Sequence, residues 1–203
     1  KLPGMLHGRV VRPPHGFSKL KEVSFPCIRN GSFIGVVAER EEAAIAAAKK
    51  LRASATWELG RQVPEDIHAW LKENAVEHNV AKESVDAAAR GRGAKRVQAT
   101  YRKPYIAHAS IGPSCAIACW VGARLEVWSH TQGIFNLRRE LAMILALPEE
   151  DIVVRHVEGA GCYGHNGADD VALDAALLAR GANGRPVRLQ WSREDEFAWE
   201  PYG

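Results

Sequence analysis

Residues 154–181 read VRHVEGAGCYGHNGADDVALDAALLARG and hold the most informative pattern in the chain. An apolar, β-branched stretch predicts a strand, and the apolar periodicity that follows predicts a helix. Between them, residues 159–164 have the spacing G-x-G-x-x-G, which allows backbone N–H groups to approach a ligand closely. The motif alone leaves two alternatives open: a loop that binds an anionic group or a cofactor, and a tight strand-to-helix turn without a ligand.

The same spacing occurs in the dinucleotide-binding loop of Rossmann domains, but three features disfavour that interpretation. A Rossmann unit needs an acidic residue about 20 residues after the motif to hold the ribose, whereas the nearest acids at a predicted strand end are Glu194 and Asp195. The helix of a Rossmann unit begins within the motif, but here the acidic pair Asp169 and Asp170 predicts a later start. Those two carboxylates would also repel a pyrophosphate at the helix N-terminus.

The rest of the sequence predicts an α+β fold organised in three regions. Residues 1–60 are predicted to form a small α+β unit, whose one helix has acidic residues in its first turn and basic residues in its last. Residues 61–94 are polar and are interpreted as a connecting segment, with a short helix after Pro64. Residues 95–203 are predicted to alternate strand, helix, strand, glycine-rich loop, helix and strand.

Three strand predictions in the last region can be compared directly with a structure. Residues 95–108 and residues 185–196 are each predicted as strands. The stretch that begins at Cys115 is predicted as two strand halves with a turn at Gly122.

Composition and charge exclude some classes of function. The net charge of +3 is small and the basic residues are scattered, so no nucleic-acid partner is expected. No apolar run approaches the roughly 20 residues that span a bilayer, so no transmembrane segment is predicted in this chain. The four cysteines form no CxxC pair, and Cys115 and Cys119 are expected to be small buried thiols. The first residue is Lys1, and a fragment of a longer protein is expected.

Several strings together resemble one family. Residues 128–164 read WSHTQGIFNLRRELAMILALPEEDIVVRHVEGAGCYG and resemble the large subunits of molybdenum hydroxylases, the xanthine dehydrogenase and aldehyde oxidase family. Residues 2–15 and 184–197 also resemble family stretches, so the similarity covers nearly the whole chain except residues 61–94. The loop and the helix after it look most like the nicotinate dehydrogenase and isoquinoline oxidoreductase branch.

This resemblance implies a fold and a set of cofactor contacts. It implies a hammerhead-like α/β domain at residues 1–60, followed at residues 95–203 by the first βαβ part of a truncated molybdopterin-binding domain. The pterin dithiolene holds the metal in this family, so no protein ligand to the metal is expected. The residues that the resemblance places at the cofactor are Gln132, Gly133, Gly161, Cys162, Tyr163, Gly164 and His165. Of these, Gln132 falls where a family glutamine lies close to the molybdenum.

The resemblance also implies an activity and partners. The expected reaction hydroxylates an electron-poor C–H of an N-heteroaromatic ring or an aldehyde, with oxygen derived from water. The expected cofactor is molybdenum–molybdopterin in its cytosine dinucleotide form. The substrate is a small molecule, electrons pass to an iron–sulfur subunit, and a cytochrome c is one candidate acceptor. The family's glutamate base lies near the far C-terminus of the large subunit, so no catalytic residue is assigned in this chain and the isolated fragment is expected to be inactive.

Departures from the family pattern limit what can be assigned. Gly112 and Gly167 stand where many members have glutamates, which disfavours xanthine as the substrate. Two alternatives remain: an NAD-type Rossmann oxidoreductase, and a structural module whose loop binds nothing. The sequence leaves the compartment open between cytoplasm and periplasm.

Overall fold

The computed structural model of this chain describes residues 2–80, 82–83, 95, 97–165 and 170–200. These form two compact units, one made of residues 1–61 with residues 106–203, and one made of residues 62–105. The described strands are β1 (Leu6–Val11), β2 (Lys19–Val23), β3 (Ile28–Asn30), β4 (Phe33–Ala38), β5 (Ala55–Glu58), β6 (Cys115–Val121), β7 (Arg124–Ser129), β8 (Ile152–His156) and β9 (Val187–Gln190). The described α-helices are α1 (Glu41–Ser54), α2 (Ile67–Glu73), α3 (Ile134–Leu145), α4 (Asp170–Arg180) and α5 (Arg193–Trp199), and a short 3-10 helix occupies Glu149–Asp151.

The larger unit is built on a seven-stranded mixed sheet in the order β3-β4-β1-β9-β6-β7-β8. Strand β9 pairs in parallel with β1 and antiparallel with β6, so it joins the N-terminal strands to the C-terminal ones. A second, two-stranded sheet pairs β2 with β5. Strands from residues 1–60 and from residues 95–203 thus share one sheet, and the assignment of these ranges to separate domains stays a prediction.

Helix α4 packs across the middle of the sheet, over β6 and β9. Leu178 is fully buried, and the other buried residues of this helix are Val171, Ala172, Asp174, Ala175, Ala176 and Ala179. Leu178 lies directly on the neighbouring strands: a Cβ atom added to Gly8 or to Gly35 would come within 2.6 Å of its methyl carbons. Glycines at these two positions therefore let the helix approach the sheet closely. Helix α1 packs on β1 and β4 over a smaller apolar cluster that includes Ile34 and Leu51.

Most of the predicted elements are confirmed, including α1, the helix after Pro64 and the turn at Gly122, where φ is +63°. Two strand predictions are wrong. The described residues from 97 to 108 form no strand, and their large side chains are exposed, Tyr101 to 92%, so the pattern has no neighbouring strand to pack on. In residues 185–196 the strand ends at Gln190, because Ser192 begins a helix.

Helix α5 begins with a reciprocal cap, which explains why the chain turns into a helix after Gln190 and does not continue as a strand. The Ser192 side chain accepts a hydrogen bond from the backbone N–H of Asp195, and the Asp195 carboxylate accepts one from the backbone N–H of Ser192. Such a capping box satisfies N–H groups that have no partner within the helix. The acidic residues of its first turn also complement the helix dipole.

The sheet places two chain segments side by side at one edge. Strands β7 and β8 are parallel neighbours, and Ser129 at the end of β7 is paired with His156 at the end of β8. The backbone N–H of Val157 continues the pairing by donating to the Ser129 carbonyl, at 2.9 Å. Carboxyl ends of parallel strands are common ligand positions in α/β sheets, so the segments after Ser129 and His156 are candidates for a functional site. None of the described helices is long and apolar enough to cross a bilayer.

Candidate functional site

A cleft of about 540 Å³ lies where β7 and β8 end. One wall is the turn that leads from β7 into α3, and the other is the glycine-rich loop after β8. The lining residues are His130, Thr131, Gln132, Ile134, His156, Gly159, Gly161 and Cys162. The cleft thus combines two segments that are far apart in the sequence.

Buried hydroxyl groups hold the first wall. The Ser129 hydroxyl accepts a hydrogen bond from the backbone N–H of Thr131 at 3.1 Å, and the Thr131 hydroxyl accepts one from the backbone N–H of Gly133 at 3.2 Å. Both hydroxyl side chains are buried, whereas Gln132, which follows Thr131, is exposed. The turn is therefore fixed by its own side chains, and the Gln132 amide remains at the opening of the cleft.

The second wall depends on glycines. Gly161 and Gly164 have φ values of +95° and +109°, which residues other than glycine rarely adopt. Tyr163 also has a positive φ, +56°, and its ring lies over Gly161, so that a Cβ atom there would come 3.1 Å from the Tyr163 Cζ. The backbone N–H of His165 closes the loop by donating to the Cys162 carbonyl at 3.1 Å.

The seven residues predicted at the cofactor fall into two groups: four line the cleft or a depression beside it, and three do not. Gln132, Gly161 and Cys162 line the cleft, and Gly133 lines a neighbouring depression together with Gln132. Tyr163 is 63% exposed, and Gly164 lies against the His108 ring. The side chain of His165 is buried instead, at 2% exposure. Their assignment to a cofactor stays a prediction, and Gly167 lies outside the described residues.

His165 faces acidic residues of α5. Its Nδ1 atom lies 3.0 Å from Glu196 Oε1 and 3.7 Å from Glu200 Oε2. Glu196 also accepts hydrogen bonds from the Ser114 backbone N–H at 2.8 Å and from the Ser114 hydroxyl at 3.0 Å. The glycine-rich loop thereby contacts α5, and Glu196 connects it to the segment just before β6.

His108 completes this buried cluster. Its backbone N–H donates to Glu200 Oε1 at 3.0 Å, and its ring stacks on that of His165 with centroids 5.7 Å apart. Its Nδ1 atom lies 3.9 Å from Glu200 Oε2. Both of these atoms are buried, and neither has a hydrogen-bond partner among the described residues.

Sequence reasoning missed the two acids of this cluster. Glu196 and Glu200 are four residues apart, so in a helix they share one face, but the interpretation of residues 185–196 as a strand concealed this. The signal that identifies the helix is the serine at 192 with an acid three residues later. His130 is 9% exposed, and its ring accepts a hydrogen bond from the Cys115 backbone N–H at 3.4 Å.

The cysteines offer no evident nucleophile in the described structure. Burial raises the pKa of the Cys115 and Cys119 thiols, so both are expected to remain protonated at neutral pH. All four cysteines are free of disulfides, as expected for small thiols. Cys162 lines the cleft and has a further interaction of its own.

A mixed α/β fold with a glycine-lined cleft at adjacent strand ends defines a cofactor-binding module. Residues 67–201 match the molybdopterin cofactor-binding domain, and the chain belongs to that family. It is 41% identical to a nicotinate dehydrogenase subunit of Pseudomonas putida, over the whole of this chain and 19% of that protein. It is 34% identical to the aldehyde oxidoreductase molybdenum-binding subunit PaoC of Escherichia coli, over 49% of this chain and 14% of that one.

A solved structure shares the fold over the whole chain. Quinoline 2-oxidoreductase from Pseudomonas putida 86 superposes with a TM-score of 0.75 at 21% identity, covering 100% of this chain and 33% of that one. The chain therefore spans about a fifth of the nicotinate dehydrogenase subunit and a third of the quinoline enzyme chain.

The described cleft fits a pterin cofactor. Gly159 and Gly161 line it without side chains, so backbone can lie close to a ligand there. The exposed Gln132 amide offers both hydrogen-bond donors and an acceptor. A pterin-held metal needs no protein ligand, so this donor set is sufficient for binding and orientation.

Proposed function

We propose that this chain is part of the large subunit of a molybdenum-cofactor hydroxylase. The observation that carries the proposal is the position of Gln132 beside the glycine-rich loop, in one cleft of a chain from the molybdopterin-binding family. The reaction is hydroxylation of an electron-poor C–H with oxygen derived from water. When bound, the cofactor supplies a redox-active molybdenum centre.

In this proposal the residues of the chain bind and orient the cofactor. The Gln132 amide would donate a hydrogen bond to the cofactor, and the Gly133 backbone would support it at the start of α3. The loop residues Gly161 and Cys162 contribute backbone N–H groups from the opposite wall. Tyr163 and Gly164 shape the loop. The His165 side chain is buried, so it holds the loop in place and does not contact the cofactor.

The substrate class follows from similarity to named relatives. The names nicotinate dehydrogenase and quinoline 2-oxidoreductase both refer to N-heteroaromatic rings, which favours such a ring over an aldehyde as the substrate. The first of these relatives is named as a subunit, which supports a separate iron–sulfur subunit as the electron acceptor. A cytochrome c as the next acceptor and the cytosine dinucleotide form of the cofactor are the further parts of the proposal.

The proposal also concerns the architecture of the parent protein. Residues 1–60 correspond to part of a hammerhead-like α/β domain, supported by the second sheet of β2 and β5 beside α1. Residues 95–203 correspond to the first part of the molybdopterin-binding domain. The relatives are several times longer, so the general base is assigned to the remainder of the large subunit.

Metal and nucleotide analysis of the intact parent protein tests the proposal. The protein would be expressed with its partner subunits and maturation factors in a host supplied with molybdenum. We expect molybdenum close to one per large subunit, and release of CMP on acid hydrolysis. A folded and fully matured preparation with neither molybdenum nor a pterin would contradict the enzyme assignment and favour a structural module.

A further inference from the structure

The buried cluster behind the glycine-rich loop is a separate candidate site. Three of its side chains, His165, Glu196 and Glu200, are 2%, 0% and 0% exposed. One nitrogen or oxygen atom from each lies within 4.8 Å of the other two. The three residues come from two different segments, the loop after β8 and helix α5, so the arrangement exists only in the folded chain.

The charges of this cluster are poorly balanced without a cation. Within the described part of the chain, the ion pairs of Glu196 and Glu200 are with histidines, His165 and His108. A buried carboxylate is strongly disfavoured unless it is paired or coordinates a metal. Two such carboxylates lie here beside groups that carry a positive charge only when protonated.

Two buried atoms lack the hydrogen bonds that would explain their positions. Within the part of the chain that the structure describes, Glu200 Oε2 and His108 Nδ1 have no hydrogen-bond partner. Glu200 Oε2 lies 3.9 Å from His108 Nδ1 and 3.7 Å from His165 Nδ1. These separations are too long for hydrogen bonds, so direct contact between the groups does not satisfy them.

The same separations suit ligands that share one metal ion. Zinc binds imidazole nitrogen and carboxylate oxygen at about 2.0–2.2 Å in tetrahedral sites, which places two ligand atoms roughly 3.4 Å apart. The His165 Nδ1 atom lies 3.0 Å from Glu196 Oε1 and 3.7 Å from Glu200 Oε2, on either side of that value. Small side-chain movements would bring both distances to it.

We propose that His165, Glu196 and Glu200 bind a divalent transition-metal ion, for which zinc is the best match. Imidazole and carboxylate groups form a donor set typical of zinc. His165 would bind through Nδ1, which requires its proton on Nε2. The hydrogen bonds from Ser114 to Glu196 would orient that carboxylate, as is usual for groups that support metal ligands.

The ion would have a structural role that does not depend on the proposed function. It would join the glycine-rich loop, through His165, to helix α5 through Glu196 and to the residue that ends this helix, Glu200. The site is distinct from the cleft that Gln132 lines, since the His165 ring is buried behind the loop. The position of the loop would then depend on metal binding.

Zinc content of the intact parent protein tests this proposal. After dialysis against a weak chelator, zinc and molybdenum would be counted together by mass spectrometry for the wild type, Glu200→Gln and Glu194→Gln. Glu194 is an exposed acid on the same helix, so its substitution is the matched control. We expect about one zinc per large subunit in the wild type and control, and at least a tenfold loss in Glu200→Gln.

Each other result overturns the proposal. A wild type without zinc would mean that shared protons balance the two carboxylates, and zinc retained in Glu200→Gln would place the ion elsewhere. If Glu200→Gln does not fold, zinc X-ray absorption of the wild type decides: an N/O shell that includes an imidazole supports the site, and sulfur ligands contradict it. Molybdenum measured in the same samples reports separately on the proposed function.

Discussion

Gly159 lies so close to the ring of His130 that an added Cβ atom would come 2.4 Å from the ring Nδ1. His130 follows β7 and Gly159 follows β8, so this contact sets the distance between the two walls of the cleft. His130 is itself fixed, since its Nε2 accepts a hydrogen bond from the Cys115 backbone N–H. The absence of a side chain at residue 159 is therefore a condition for the cleft to form.

The first prediction concerns this contact. We expect Gly159→Ala to lower the free energy of unfolding by about 1–3 kcal/mol, because the methyl group must displace His130 or the loop. Urea unfolding followed by circular dichroism would measure the change. The control is Gly16→Ala, where no atom lies within 4 Å of the added Cβ; equal stability of the two variants would contradict the close approach.

The second prediction concerns the packing of α4 on the sheet. Leu178 is fully buried against Gly8 and Gly35, and these glycines cannot move to fill a cavity. We expect Leu178→Ala to cost about 2–5 kcal/mol of unfolding free energy. Leu59, which is 57% exposed, provides the comparison. A similar loss in Leu59→Ala would show that the measurement does not report burial.

The third prediction concerns the start of α5. Ser192→Ala removes the hydroxyl that accepts from the Asp195 backbone N–H, and we expect a loss of about 0.5–2 kcal/mol. Because α5 carries Glu196 and Glu200, the loop that contains His165 should also exchange its amide hydrogens faster. Hydrogen exchange would measure this, with the exposed Ser24 replaced by alanine as the control. Unchanged exchange in the loop would mean that the cap is not needed to hold it.

The fourth prediction concerns pH. A hydrogen bond from Arg9 holds the pKa of Glu41 below its usual 4.5, against a smaller opposite effect of desolvation. A carboxyl group whose pKa is lower in the folded state stabilises the protein above its unfolded pKa and loses that contribution as the pH falls through the folded value. We expect Glu41→Gln to be less stable than the wild type by about 1 kcal/mol or less at pH 7, since the pair is partly exposed.

The difference should shrink as the pH falls below about 4.5, the usual value of this carboxyl group, and unfolding curves over a pH series would measure it. Glu65→Gln, at an exposed acid of the smaller unit, is the control. A difference between Glu41→Gln and the wild type that stays constant with pH would contradict the assignment to this ion pair.

The sequence was sufficient for elements whose ends carry their own signals. Helix α1 has acids in its first turn and a basic residue in its last, and the hairpin of β6 and β7 turns at Gly122. The sequence was misleading where a strand-like pattern forms a strand only if a distant part of the chain pairs with it. Residues 97–108 have the composition of a strand but no neighbour to pair with, and Trp191 continues the pattern of β9 up to the serine that begins α5.

The candidate site was predictable on one wall and less so on the other. The family resemblance pointed to Gln132 and to the glycines, and the parallel pairing of β7 with β8 brings them together. The direction of the His165 side chain could not be inferred, because it depends on Glu196, which lies about 30 residues later in a helix that was interpreted as a strand. Local sequence gives the loop its glycines, whereas tertiary packing decides which way its polar side chain turns.

The fifth prediction tests the role of Gln132 apart from stability. Since Ser129 and Thr131 hold the turn through their own hydroxyl groups, Gln132→Ala should change the free energy of unfolding by less than about 0.5 kcal/mol. If its amide donates to an oxygen at the metal centre, turnover of an N-heteroaromatic substrate should fall by about 10²–10³-fold, with molybdenum content retained. Gln132→Glu keeps the shape and an acceptor but removes the donor, so it should lose a similar factor. Full turnover in Gln132→Glu would contradict donation by the amide, and a loss of molybdenum in both variants would assign Gln132 to binding the cofactor instead.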